Sequence, residues 1–167
     1  MKLATWFVAV SLLGCGSKKE PEPPPTKPTE VAAPLPVLAD NAPADKPLTG
    51  HRTAEQDTRI AELSAEAMAK YPDARARFVK GLPAGEHMFI TTTLSSPGKS
   101  ESVFVAVTAI ANGRVKGTIA SDLMNVAGYK AGDGYELPES AITDWMIAKP
   151  DGSEEGNVVG KYIDTLH

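Results

Sequence analysis

The chain of 167 residues has a single cysteine, Cys15, so no disulfide can form within it. Its three histidines, His51, His87 and His167, lie far apart and lack the two-His helical spacing of a zinc protease. There is no G-x-S-x-G elbow, so nothing supports a serine hydrolase. No apolar run approaches the ~20 residues needed to span a bilayer as a helix. Basic residues are not in excess: 17 Lys and Arg stand against 21 Asp and Glu, for a net charge of -4. A mildly acidic chain of this kind has no electrostatic footprint for nucleic acid. Aromatic residues are scarce, and residues 17–50 contain none.

The lone thiol sits in an informative place. Lys2 gives the start "MKLATWFVAVSLLGC" a positive charge, and Leu3 to Leu13 is apolar apart from Thr5 and Ser11. That run is too short for a stop-transfer helix but suits an export signal. Leu12-Leu13-Gly14-Cys15 resembles a lipobox, the signature of bacterial lipoproteins. The resemblance implies removal of residues 1–14 and lipid on Cys15, which would hold the chain to a membrane. Two or three acyl chains suffice for stable anchoring, whereas one binds only reversibly. Gly16, by resemblance to enterobacterial sorting rules, favours the outer membrane over the inner.

Residues 15–50 read as the lipidated cysteine and a Pro-rich tether. Nine of the 14 prolines fall in residues 17–50, "SKKEPEPPPTKPTEVAAPLPVLADNAPADKPLTG". Such a composition cannot bury enough apolar surface to fold, and a disordered, largely polyproline II spacer is expected. At ~3.1 Å per residue it would reach roughly 100 Å if fully extended.

Residues 51–167 have the size of one domain with one core. Thr53 and Gln56 have capping-box spacing, and Ile60, Leu63, Ala67, Met68 and Tyr71 recur at a helical period. Pro72 is expected to open a second short helix that Gly81 stops. From Met88 the period changes. "HMFITTTL" and "SVFVAVTAI" read as strands, and Asn112-Gly113 as a tight hairpin turn. Val103, Val105 and Val107 share a face that Ile110 leaves, which calls for a bulge near Thr108 or Ala109. "GYELPES" reads as a strand ended by Pro138, and "AITDWMIA" with "NVVGKYIDTL" as a final hairpin. The expectation is an α+β fold: N-terminal helices packed on a curved antiparallel sheet or half-barrel of five to six strands.

The segments "ESVFVAV", "GRVKGTIASD", "GYKAGD", "ITDWM" and "VVGKYIDTL", between Ser102 and Leu166, together resemble the YegJ-like family of bacterial domains of unknown function. Ser102 and Phe104 stand where that family has His and Trp. The resemblance implies a fold for residues 51–167 and no established activity.

Asp144-Trp145 is the most pointed pair for ligand binding, an acid beside an aromatic platform. The competing reading is structural, with Trp145 filling the core and Asp144 accepting backbone N–H bonds, because a small domain can hardly waste so large an apolar side chain. Glu86, His87 and Glu101 could converge into a weak acid–base or metal site if their strands pair. "AGDGYE" lacks the spacing of a phosphate loop. "DGSEEGN" begins like a calcium loop but has Tyr162 where a bidentate Glu is needed, and reads as a solvated hairpin tip. No cofactor or metal is implied. The expected role is a lipid-anchored domain of the bacterial cell envelope that binds a protein or an envelope component without catalysis. A hydrolase acting on cell-wall or envelope material and a toxin-protective or inhibitory protein are the alternatives.

Replacing Cys15 with Ala should abolish incorporation of labelled fatty acid and leave an unprocessed precursor. Normal cleavage and equal labelling of the variant would refute the anchor.

Overall fold

The computed structural model describes residues 52–166. The expected signal peptide, Cys15 and the tether through residue 50, with His51 and His167, lie outside the described residues.

The first element is one helix, α1 (Ala54–Lys80), 27 residues long. Its start is the expected capping box. The Thr53 hydroxyl accepts from the Gln56 amide at 3.3 Å, and the Gln56 side chain accepts from the Thr53 amide at 2.8 Å. Glu55 and Asp57 lie in the first turn and Arg77 and Lys80 in the last, matching the helix dipole at both ends. Gly81, at φ 105°, ends it.

Pro72 does not divide the helix as expected. It lies inside α1 on the exposed side. A proline there loses one helical hydrogen bond and crowds the preceding turn, at about 3 kcal/mol. Packing on both sides of it offsets that cost. Leu63, Ala67, Tyr71 and Ala74 form a buried stripe that runs past residue 72. Arg75 and Tyr71, flanking it, both bind Glu139: the guanidinium donates at 2.8 and 3.3 Å and the phenol at 3.0 Å. Burial and then this acceptor push the Tyr71 hydroxyl pKa strongly up.

Six antiparallel strands follow: β1 (His87–Ser96), β2 (Lys99–Ala111), β3 (Arg114–Ile119), β4 (Gly134–Pro138), β5 (Asp144–Ala148) and β6 (Glu154–Gly156). They form one open sheet in the order β4-β3-β2-β1-β5-β6. Asn112 and Gly113, both at positive φ, make the tight turn between β2 and β3. The register shifts between Val107 and Ala109, the expected bulge. Thr108 at the bulge turns its hydroxyl to the Lys116 carbonyl at 3.1 Å.

One sheet face carries Met88, Ile90, Leu94, Val103, Val105, Val115, Ile119, Leu137, Trp145 and Ile147, packed with Ala67, Tyr71 and Ala74 of α1. Leu123 and Val126, in the long β3–β4 connection, join this core. The α+β architecture is therefore as expected, with one further correction. "NVVGKYIDTL" is not a strand: after the three residues of β6 the chain forms a short C-terminal helix, α2 (Val158–Asp164). The two helices thus bracket the sheet in sequence instead of both preceding it. Gly156 and Asn157 both take positive φ, which turns the chain out of the sheet before Val158.

Candidate functional site

Trp145 and Asp144 are neighbours on β5, and their side chains do different structural work. Trp145 is buried, and its indole N–H donates to the Ala67 carbonyl of α1 at 2.8 Å. Asp144 is 1 % exposed. One carboxylate oxygen accepts from the Trp145 amide and the other from the Val159 amide, each at 2.8 Å. Val159 lies in the first turn of α2, so Asp144 caps that helix from another element. Burial raises its pKa, and the Val159, Trp145 and Gly160 amides oppose the rise. Asn157, the residue before α2, donates its side-chain amide to Glu154 at 3.2 Å. Its Oδ1 has no hydrogen-bond partner among the described residues and occupies the space that a Cβ at Gly160 would need, 2.1 Å away.

Glu101 is also a fastener. It accepts from the amides of Met124, Asn125 and Val126 at 2.9, 2.9 and 3.2 Å. Successive backbone N–H groups make an anion-binding concavity, and here the protein's own carboxylate fills it. Burial would raise the Glu101 pKa, but the three amides outweigh it and hold it below the usual carboxylate value.

The possible convergence of Glu86, His87 and Glu101 does not occur. His87 pairs with Ala148 at one end of β1, while Glu101 pairs with Leu94. Seven positions of extended strand separate His87 from Leu94, about 23 Å. His87 is exposed, and among the described residues no group of three His, Cys, Asp or Glu could hold a metal. Glu86 instead lies 3.9 Å from Arg77.

A cleft of about 300 Å³ opens beside Trp145, between α1 and the β5–β6–α2 corner. Ala67, Ala74, Trp145, Gly156 and Val158 supply its apolar lining, and Lys70, Asp73 and Glu155 its charges. Small residues make the space. A Cβ at Gly156 would lie 2.3 Å from the Trp145 carbonyl and 3.0 Å from its indole. Arg77 holds Glu155 at 2.7 Å, and Lys70 pairs with Glu66 at 3.0 Å, one turn back on α1. Lys70, Asp73 and Arg77 follow at i, i+3 and i+7, so one face of α1 supplies the rim charges. Of these residues the sequence reading singled out Trp145 alone for ligand binding, and placed Ala67 in a buried helical stripe. "DGSEEGN" reads as a hairpin tip, and its first part is one, with the Ser153 amide and hydroxyl on Asp151 at 2.9 and 2.6 Å. Glu155 and Gly156 are the part that reaches the cleft. The signal for it was Gly156-Asn157, two residues tolerant of positive φ at the end of a strand.

No family model, no curated protein and no solved structure matches this chain.

Two outcomes test these assignments. Trp145→Ala should cost roughly 3–5 kcal/mol, the range for deleting a buried large aromatic. In a chain lacking residues 1–14, Trp145 is the sole tryptophan, so its emission should be blue-shifted and resist iodide. Ready quenching with little loss of stability would make it an exposed platform instead.

The Glu101 fastening should depend on pH. Its folded pKa is lowered, so its stabilisation is present above the unfolded value of about 4.3 and fades as pH falls through the folded pKa. Glu101→Gln should lower stability near neutrality by about 1 kcal/mol, reduced by its partial exposure. Urea titrations should show that difference shrinking in acid. A difference independent of pH would exclude the carboxylate as its source.

Proposed function

We propose that this protein is a lipid-anchored binding module of the bacterial cell envelope, most simply of the outer membrane, and that it acts without catalysis. Lipid on Cys15 would fix the chain to the membrane. The Pro-rich stretch would act as a spacer, and the folded domain would offer the cleft beside Trp145 to a protein or an envelope component. The cleft is the observation that carries this reading, because it joins an apolar floor to charges of both signs. Its volume is at the lower end for ligand pockets, which suits one inserted side chain or chain end better than a large cofactor.

The fate of the carboxylates supports the non-catalytic reading. Asp144, Glu101 and Glu139 are all engaged by groups that build the fold. A general acid or base needs a proton it can exchange with a substrate within hydrogen-bond reach. These three spend their acceptor capacity on amides, a phenol and a guanidinium.

Site-specific photo-crosslinking in intact membranes tests the proposal. A crosslinker at position 70 or 73 should capture one common species, and the same group at exposed Thr58 should not. Exchanging the rim charges, Lys70→Glu with Asp73→Lys, should weaken capture about tenfold, roughly 1.4 kcal/mol, at unchanged melting temperature. Equal capture from all three positions would overturn the cleft as the binding site.

A further inference from the structure

The charges that α1 brings to the cleft beside Trp145 are not equally engaged. Lys70 is held by Glu66 at 3.0 Å. Arg77 lies between two carboxylates, Glu155 at 2.7 Å and Glu86 at 3.9 Å. Oε2 of Glu86 is buried and accepts no hydrogen bond among the described residues, so this one guanidinium already has more negative charge beside it than it neutralises. Asp73 stands exposed on the rim with no hydrogen bond or ion pair among the described residues. With the partners included, Lys70 and Arg77 face four carboxylates, Glu66, Asp73, Glu86 and Glu155, for a formal net charge of -2 at the mouth.

The interior has the opposite character. Ala67, Ala74 and Val158 are apolar, and the Trp145 indole N–H is already spent on the Ala67 carbonyl. An apolar interior beneath an acidic mouth matches a side chain that is apolar along its length and cationic at its end. Lysine and arginine both have that form, burying the stem and keeping the charged head at the surface. Trp145 decides between them. At 4 % exposure the indole has no open face on which a planar guanidinium could stack. A space of about 300 Å³ between small side chains admits the thin, unbranched stem of a lysine, whose ammonium is a compact point charge.

Resting on the reading of this cleft as the binding site, we propose that it receives a lysine side chain of a protein partner. The stem lies against Ala67, Ala74 and Val158, and the ammonium donates to the Asp73 carboxylate. The Lys70–Glu66 and Arg77–Glu155 pairs present both signs around the mouth, which complements the mixed charge of a folded protein's surface better than a largely uncharged glycan. The contact is independent of the lipid on Cys15.

Zero-length coupling on the full-length chain in intact membranes tests it. A water-soluble carbodiimide joins a carboxylate to a primary amine that already touches it, taking up the water lost as the amide forms. The polypeptide captured by a photo-crosslinker at position 70 should be joined to Asp73 through one of its lysines, and not to exposed Asp57 on the same helix. Asp73→Asn should abolish that amide and weaken photo-capture from position 70 about tenfold, while Asp73→Glu should stay within about threefold of the wild type. Asp73 is exposed and binds no other described residue, so both variants should melt with the wild type. Capture that depends on Asp73 but yields no amide would assign the occupant to a guanidinium, and capture indifferent to Asp73 would remove the ion pair. Either result would overturn the lysine and leave the cleft as the binding site. An amide to a cell-wall amine, with no polypeptide attached, would overturn the protein partner. No capture at all from position 70 would refute the binding site itself, and the lysine with it.

Discussion

The hydrogen bond from the Trp145 indole to the Ala67 carbonyl joins the helix to the sheet, and much of the domain is arranged around that contact. It forms where the apolar stripe of α1 meets β5, so the same indole both fills the core and fixes where along the helix the strand lies. The next residue back, Asp144, extends the connection to α2 through the Val159 amide. The next strand, β6, must then approach the indole closely, which only glycine at position 156 permits. Helix, sheet, edge strand and C-terminal helix are therefore coupled through two adjacent side chains. The cleft is what remains open between the parts they hold.

Acidic residues recur at such joints. Asp144 caps α2, Glu101 gathers the amides of residues 124–126, and Glu139 receives Tyr71 and Arg75 across the helix–sheet boundary. Each lies in a connection or strand end where backbone N–H groups or side-chain donors would otherwise lack acceptors. Leaving such groups buried and unpaired costs about 1–3 kcal/mol each, so a partly buried carboxylate in these places is a fold requirement before it is a reagent. The charges left at the surface near the cleft, on Lys70, Asp73, Arg77 and Glu155, are those best placed to meet another molecule.

The role proposed for the domain follows from the character of its cleft. The cleft beside Trp145 is small, open and ringed by charge, as suits a contact that is made and broken.

The amino-acid sequence by itself determined the features that depend on near neighbours. The Thr53–Gln56 box, the glycine stop at 81, the Asn112-Gly113 turn and the bulge at Thr108 were legible because each is settled by steric and hydrogen-bonding limits within a few residues. The alternation of β1 and β2 and the burial of Trp145 were legible because apolar periodicity and size leave few other solutions. Tertiary structure decided the rest. Pro72 reads locally as a helix start, yet packing on both sides carries α1 through it. The Val-rich "NVVGKYIDTL" reads locally as a strand, yet an acid fifteen residues away caps it as a helix. Glu101 and His87 looked able to meet, and the β1 register alone set them at opposite ends of a strand. In each case the deciding energy came from residues distant in sequence, whose pairing no local period encodes.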